Sequence, residues 1–167
     1  PQSGKLKLMS RFQRTLDFSS TAALVLVAGG GAASFVFARA VFEQTPGITS
    51  QPRFHAGQIV GPLVIGLQWS MLTAGFLVLA ASVSRWFDPQ VRSHRNRWLG
   101  IVGILLIIFS SLHLLWLVPS LESLRVSIGP MGFDSQTQFA DRDSFRMNHG
   151  ISSALTLAAV IVAWIGA

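Results

Sequence analysis

The sequence has no cysteine. Disulfides, thiolate zinc sites, iron–sulfur clusters and cysteine nucleophiles are thereby excluded. Tyrosine is absent too, and the aromatic side chains come from 12 Phe and 5 Trp, which suits lipid contact and anchoring at an interface. Charge is scarce. Only 12% of residues are Asp, Glu, Lys or Arg, against 50% hydrophobic, whereas soluble domains carry about 25% charged residues. So thin a charged shell puts the membrane class first. The length of 167 residues suits one compact unit, with no sign of a second domain.

Acidic residues are the rarer sign, 7 against 13 Lys and Arg, for a net charge of +6. The basic residues cluster beside apolar runs, so they point to topology and to anionic lipid. No RNA- or DNA-binding motif accompanies them, and nucleic acid is not an expected partner.

Four apolar runs are present, at about residues 18–42, 56–83, 98–118 and 146–167. The first covers about 37 Å as a helix, enough to cross a hydrocarbon core of about 30 Å with tilt. Ala38-Arg39-Ala40 imitates a signal-peptide cleavage site, but the stretch is too long for an ordinary signal sequence, so it is expected to remain as a span. The runs are continuously apolar rather than alternating and are twice a strand's length, which favours helices over a barrel. Pro62 falls early in the second run, Pro119 is expected to end the third, and residues 119–145 form the long outer loop. Within that loop Leu121, Leu124 and Ile128 have the spacing of a short amphipathic surface helix, and Gly129-Pro130-Met131-Gly132 marks a break. Asp141, Asp143 and Ser144 suit a helix N-terminus, so the fourth helix is expected to begin ahead of its apolar run.

Lys5, Lys7, Arg11 and Arg14 lie in the basic segment 1–17, and Arg85, Arg92, Arg95 and Arg97 in the second connector. On the opposite side the arginines are diluted by Glu43, Glu122, Asp134, Asp141 and Asp143. The positive-inside rule then places both termini and the second connector in the cytoplasm. Trp86, Trp98 and Trp116 sit near span ends as interface residues do. The expected fold is an all-α integral membrane bundle of four transmembrane helices, N-in/C-in, in a bacterial inner membrane, comprising residues 18–167.

Helices in lipid associate through close packing of small residues. Gly29, Gly30 and Gly31 in the first span, Gly57 and Gly61 at GxxxG spacing in the second, and Gly100 and Gly103 in the third are the expected packing positions. Gln68, mid-span, is expected to hydrogen-bond between helices. Arg39 and Glu43, four residues apart, suit an ion pair along one helix face.

Ionisable residues within spans are the first places to look for function. His55, His113 and His149 all fall toward the outer side, where a bundle would bring them to similar depths. That geometry would suit a divalent metal held by the three, or a haem or chlorophyll-type pigment held by His113 and His149. Against it stands an ordinary hydrogen bond within the bundle for His113, and no HExxH motif or carboxylate cluster is present. No nucleophile–base–acid set or phosphate-binding glycine loop appears, so the protein is not expected to be an enzyme. The leading expectation is a non-catalytic accessory subunit packing against other membrane subunits of a larger complex, of respiratory or photosynthetic type. The alternatives are a haem-, pigment- or metal-binding membrane protein and a transporter conferring small-cation or drug resistance.

Three stretches carry a family resemblance: Gly29 to Phe37 followed by Ala40-Val41-Phe42; Leu115 to Pro119 with Glu122 and Arg125; and Phe145-Arg146-Met147-Asn148-His149-Gly150-Ile151-Ser152-Ser153-Ala154-Leu155. Across roughly residues 20–165 the chain resembles a bacterial membrane family of unknown function related to the transmembrane protein 205 group. The resemblance implies four helices with a polar stretch opening the last, and marks Arg146, His149 and Ser152 as the family-type polar positions. It implies no reaction.

Overall fold

A computed structural model describes residues 2–47, 51–86, 94–132 and 139–167. The described residues are helical almost throughout and contain no strand. α1 spans Gln2–Gln44 and ends in a 3-10 turn, Thr45–Gly47. α2 spans Pro52–Trp86 and α3 spans His94–Leu112. A π turn, His113–Leu117, leads into α4 at Val118–Gly132, and α5 spans Phe139–Gly166. Four continuous helical stretches are long and apolar enough to cross a membrane: Arg11–Gly47, Arg53–Trp86, Asn96–Gly129 and Asp141–Gly166.

Element boundaries differ from the sequence expectation in two places. The first helix starts earlier than the apolar run at 18–42, because α1 runs through the basic segment from Gln2. Residues 5–14 are mostly Lys, Leu, Arg, Met and Gln, all good helix formers, and no proline interrupts them. The third helix also passes its expected end at Pro119. Proline lacks an N–H, and its ring crowds the carbonyl four residues earlier, here Leu115. The turn just before it widens to π geometry, with the Val118 N–H bonded to the His113 carbonyl. The helix therefore continues to Gly129, whose φ of 66° breaks it, a conformation open to glycine. The first half of the expected outer loop is thus a direct extension of the third helix. The fourth helix does begin ahead of its apolar run, with Asp141 in its first turn.

The core draws on all four long stretches. Leu24, Val27 and Ala28 of α1 meet Leu67, Met71, Ala74 and Val78 of α2, Val102 and Leu106 of α3, and Ala159, Val160 and Ala163 of α5. Large apolar side chains such as Leu26, Val36, Trp69, Leu115 and Trp164 point outward.

The tightest seam joins α2 to α3. A Cβ on Gly103 would lie 2.9 Å from both the Gly75 carbonyl oxygen and the Leu79 amide nitrogen. A Cβ on Gly100 would lie 2.9 Å from Ser82 Oγ. Gly31 of α1 similarly leaves room for Val160 of α5. The other expected packing glycines are corrected by the structure: Gly29, Gly30, Gly57 and Gly61 have no neighbour within 4 Å of a built Cβ. Gly29 and Gly30 lie on an exposed face, and Gly57 and Gly61 border a cavity. Spacing alone puts residues on one helix face without saying what that face meets.

A polar lock closes the end of the bundle where α2 meets α3. Arg85 forms an ion pair with Asp17 of α1 and donates to Asn96 Oδ1 of α3 at 2.9 Å. Ser82 Oγ donates to the Asn96 carbonyl at 2.7 Å. Three helices are joined at one point.

Adding a methyl at the α2–α3 seam would force two backbones apart. Gly103→Ala is expected to destabilise the detergent-solubilised protein by about 1–3 kcal/mol, the usual cost of overpacking. Gly30→Ala, in open space on the same kind of helix, should instead stabilise by up to about 1 kcal/mol through helix propensity. Thermal melts of the two variants beside the parent check this; equal melting of both would refute the seam.

Candidate functional site

At the end of the bundle opposite the Arg85 lock, the four long stretches separate around a cavity of about 380 Å³. Two helices supply its long walls. On α2 the lining residues are Arg53, Phe54, Gly57, Val60, Gly61, Val64 and Ile65. On α5 they are Arg142, Phe145, Arg146, His149, Ser152, Ser153 and Thr156. Both sets follow the three-and-four spacing of a single helix face. Phe35 and Phe42 come from α1, His113 from the π turn, and Val118, Leu121, Glu122 and Arg125 from α4.

The floor is polar and largely self-satisfied. Gln68, one turn beyond Ile65 on α2, donates from Nε2 to Thr156 Oγ1 of α5 at 2.9 Å. Thr156 Oγ1 donates in turn to the Ser152 carbonyl at 2.9 Å. Ser152 Oγ lies 3.3 Å from His113 Nε2. His113 is 1% exposed, and its Nδ1 lacks a hydrogen-bond partner among the described residues, as does the buried Ser110 Oγ one turn earlier.

The mouth is basic and held in shape by contacts between helices. Arg125 Nη2 bonds Glu122 Oε1 at 2.9 Å, and its guanidinium lies 5.7 Å from the centre of the Phe54 ring. That contact seats α4 against α2. Asn148 Nδ2 of α5 donates to Ser120 Oγ of α4 at 2.8 Å, and Ser127 Oγ lies 3.1 Å from Asp141 Oδ2. Four arginines and one glutamate line the cavity.

The residues singled out from the sequence divide here. Arg146, His149 and Ser152 all line the cavity, successive on one face of α5. His113 joins them from the π turn. His149 is exposed and stacked on Phe145, with ring centroids 6.0 Å apart. His55 does not join them, so the three-histidine metal set is corrected. Its Nδ1 lies 3.3 Å from Gln58 Oε1 on its own helix, and its ring meets the edge of Phe54. Phe54 faces the cavity, and one residue later the side chain has turned about 100° around the helix. Similar depth in a bundle does not bring side chains to the same azimuth. Among the described residues no group of three His, Asp or Glu could hold a metal ion. Arg39 and Glu43 form the expected pair at 2.7 Å, both exposed, and neither lines the cavity.

Sequence reasoning missed the cavity itself, the π turn, and the parts played by Arg125 and Phe54. A usable signal was present: the face repeat running through Arg142, Phe145, Arg146, His149, Ser152 and Thr156. Comparison of the chain with family models, with curated proteins and with solved structures finds no match.

The Gln68–Thr156 bond crosses the floor and should couple energetically. A double-mutant cycle with Gln68→Leu and Thr156→Val, read by thermal melts, is expected to give a coupling of about 1 kcal/mol, within the range for hydrogen bonds between membrane helices. Strictly additive single-variant effects would show that the bond contributes nothing.

Proposed function

We propose that this chain is an integral membrane protein with both termini cytoplasmic, acting as a non-catalytic component that holds an apolar ligand in the cavity at its outer end. One observation carries the reading: a cavity of about 380 Å³ is walled by all four long stretches, while the rest of the bundle closes on an apolar core. That volume falls within the range of about 300–1,000 Å³ found for small-molecule sites.

The membrane placement is supported by four stretches long and apolar enough to span, with large apolar side chains directed outward along them. Lipid would cover those faces, and further membrane subunits would pack on them. The orientation is supported by the charge pattern: basic residues near Arg11 and Arg85, and, at the other end of the bundle as a whole, arginines diluted by Glu43, Glu122, Asp141 and Asp143. A binding role is supported by the state of the polar groups in the cavity. Glu122 is engaged by Arg125, and the floor residues bond one another.

The lack of cysteine makes orientation directly measurable. Single substitutions Ser123→Cys and Ala167→Cys should behave oppositely toward a membrane-impermeant maleimide in intact cells, the first labelled and the second protected. The reverse pattern would invert the topology, and labelling of both would remove the spans.

Ligand holding is tested with a neutral apolar fluorophore, Nile red, titrated into purified protein. Saturable binding near one per chain is expected, lost in Gly61→Phe, which fills the cavity. Binding insensitive to that substitution would sink the reading. A haem or pigment absorption band in the purified protein, lost on His113→Ala and on His149→Ala, would replace it with cofactor binding by the two histidines that line the cavity.

A further inference from the structure

We propose that the cavity takes a single-chain amphiphilic anion of the fatty-acid class, its carboxylate at the arginine-lined mouth and its hydrocarbon chain between α2 and α5. This rests on the ligand-holding reading above and assigns the ligand's chemistry.

The charge that lines the cavity is unbalanced, although acidic residues stand outside it at the same end. Of the charged residues lining the cavity, Arg53, Arg125, Arg142 and Arg146 are positive and Glu122 alone is negative. Glu122 is already taken by Arg125. Arg53 makes no ion pair among the described residues, and the nearest carboxylate oxygen to Arg146 is that of Asp143 at 3.9 Å, between two exposed side chains. Guanidinium groups at the edge of an apolar cavity favour a carboxylate, which accepts their paired N–H donors.

Beyond the mouth the α2 and α1 walls turn apolar, while the α5 wall opposite keeps His149, Ser152 and Ser153. Val60, Val64 and Ile65 line one side, and Phe35 another. Gly57 and Gly61 have open space where a Cβ would stand, so the α2 wall is flat where the chain would lie. From Arg142 to Thr156 the α5 wall runs about 21 Å, longer than the roughly 15 Å of one leaflet's hydrocarbon. At the floor, Gln68 with Thr156 and Ser152 with His113 already bond each other, so an apolar chain end leaves those bonds intact. The cavity, of about 380 Å³ and open at its mouth, accommodates one hydrocarbon chain.

The experiment measures binding of radiolabelled hexadecanoate and of hexadecanol to the full chain in nanodiscs of zwitterionic lipid. Hexadecanoate is expected to bind at least about tenfold tighter, a difference near 1.4 kcal/mol, and to lose that preference at high salt. Arg53→Gln combined with Arg146→Gln should abolish the preference while leaving the melting temperature unchanged; both side chains are exposed, so folding is not at stake. Equal affinity for acid and alcohol, both lost in Gly61→Phe, would overturn the anion assignment and leave the ligand-holding reading standing. Binding of neither, or binding untouched by Gly61→Phe, would overturn both. Stronger competition by phosphatidylglycerol than by hexadecanoate would overturn the single-chain assignment.

Discussion

Backbone-to-backbone contact between α2 and α3 is the constraint on which the remaining arrangement depends. Gly75 and Gly103 have no side chains to hold the helices apart, and a Cβ on either would lie within about 3.0 Å of the other's carbonyl oxygen. In lipid such contact is a main source of helix association, because apolar surface gains little from leaving hydrocarbon. The same seam runs on through Gly100 and Ser82 to Asn96, where Arg85 draws in Asp17 of α1. One end of the bundle is therefore closed by small residues and a shared ion pair. The other end carries phenylalanines, arginines and two glycines that face open space, and there α2 and α5 stand apart. Gln68 and Thr156 bond at the boundary between the two regimes.

The π turn at His113–Leu117 decides what stands over that open end. Pro119 would normally stop a helix or kink it. By widening the preceding turn, the chain absorbs the missing N–H and carries the helix on to Gly129. Leu121, Glu122 and Arg125 are then presented to the cavity rather than to a surface loop. Arg125 reaches Phe54, and Ser120 reaches Asn148. The same widened turn begins at His113, whose ring packs beside Ser152. One local departure from α geometry thus sets both the wall and the rim of the cavity.

Much of the architecture was legible in the chain. Run length and the poverty of charge identified four helices, and the early start of α5 was readable in Asp141, Asp143 and Ser144. The site was legible in part. Arg146, His149 and Ser152, which only the family resemblance marks as polar positions, all line the cavity. Depth alone groups His55 with His113 and His149, whereas its neighbour Phe54 holds the cavity-facing position. The GxxxG spacing of Gly57 and Gly61 predicts packing, whereas both face open space. Pro119 was read as an end because the local penalty of proline is large. Whether a π turn relieves that penalty depends on how the helix packs afterwards.

What the sequence by itself determined is everything that depends on neighbours along the chain: helical state, helix length, apolar character, and which residues share a face. Hydropathy and the three-and-four repeat are properties of one segment, and they need no partner to be read. Tertiary structure alone decided which face meets which. That choice rests on steric fit between distant segments, on a methyl-sized gap at Gly103 or a guanidinium over Phe54, and no single segment carries that information. The cavity is the outcome of those fits. It belongs to no helix, and exists because tight packing at one end of the bundle is not continued at the other.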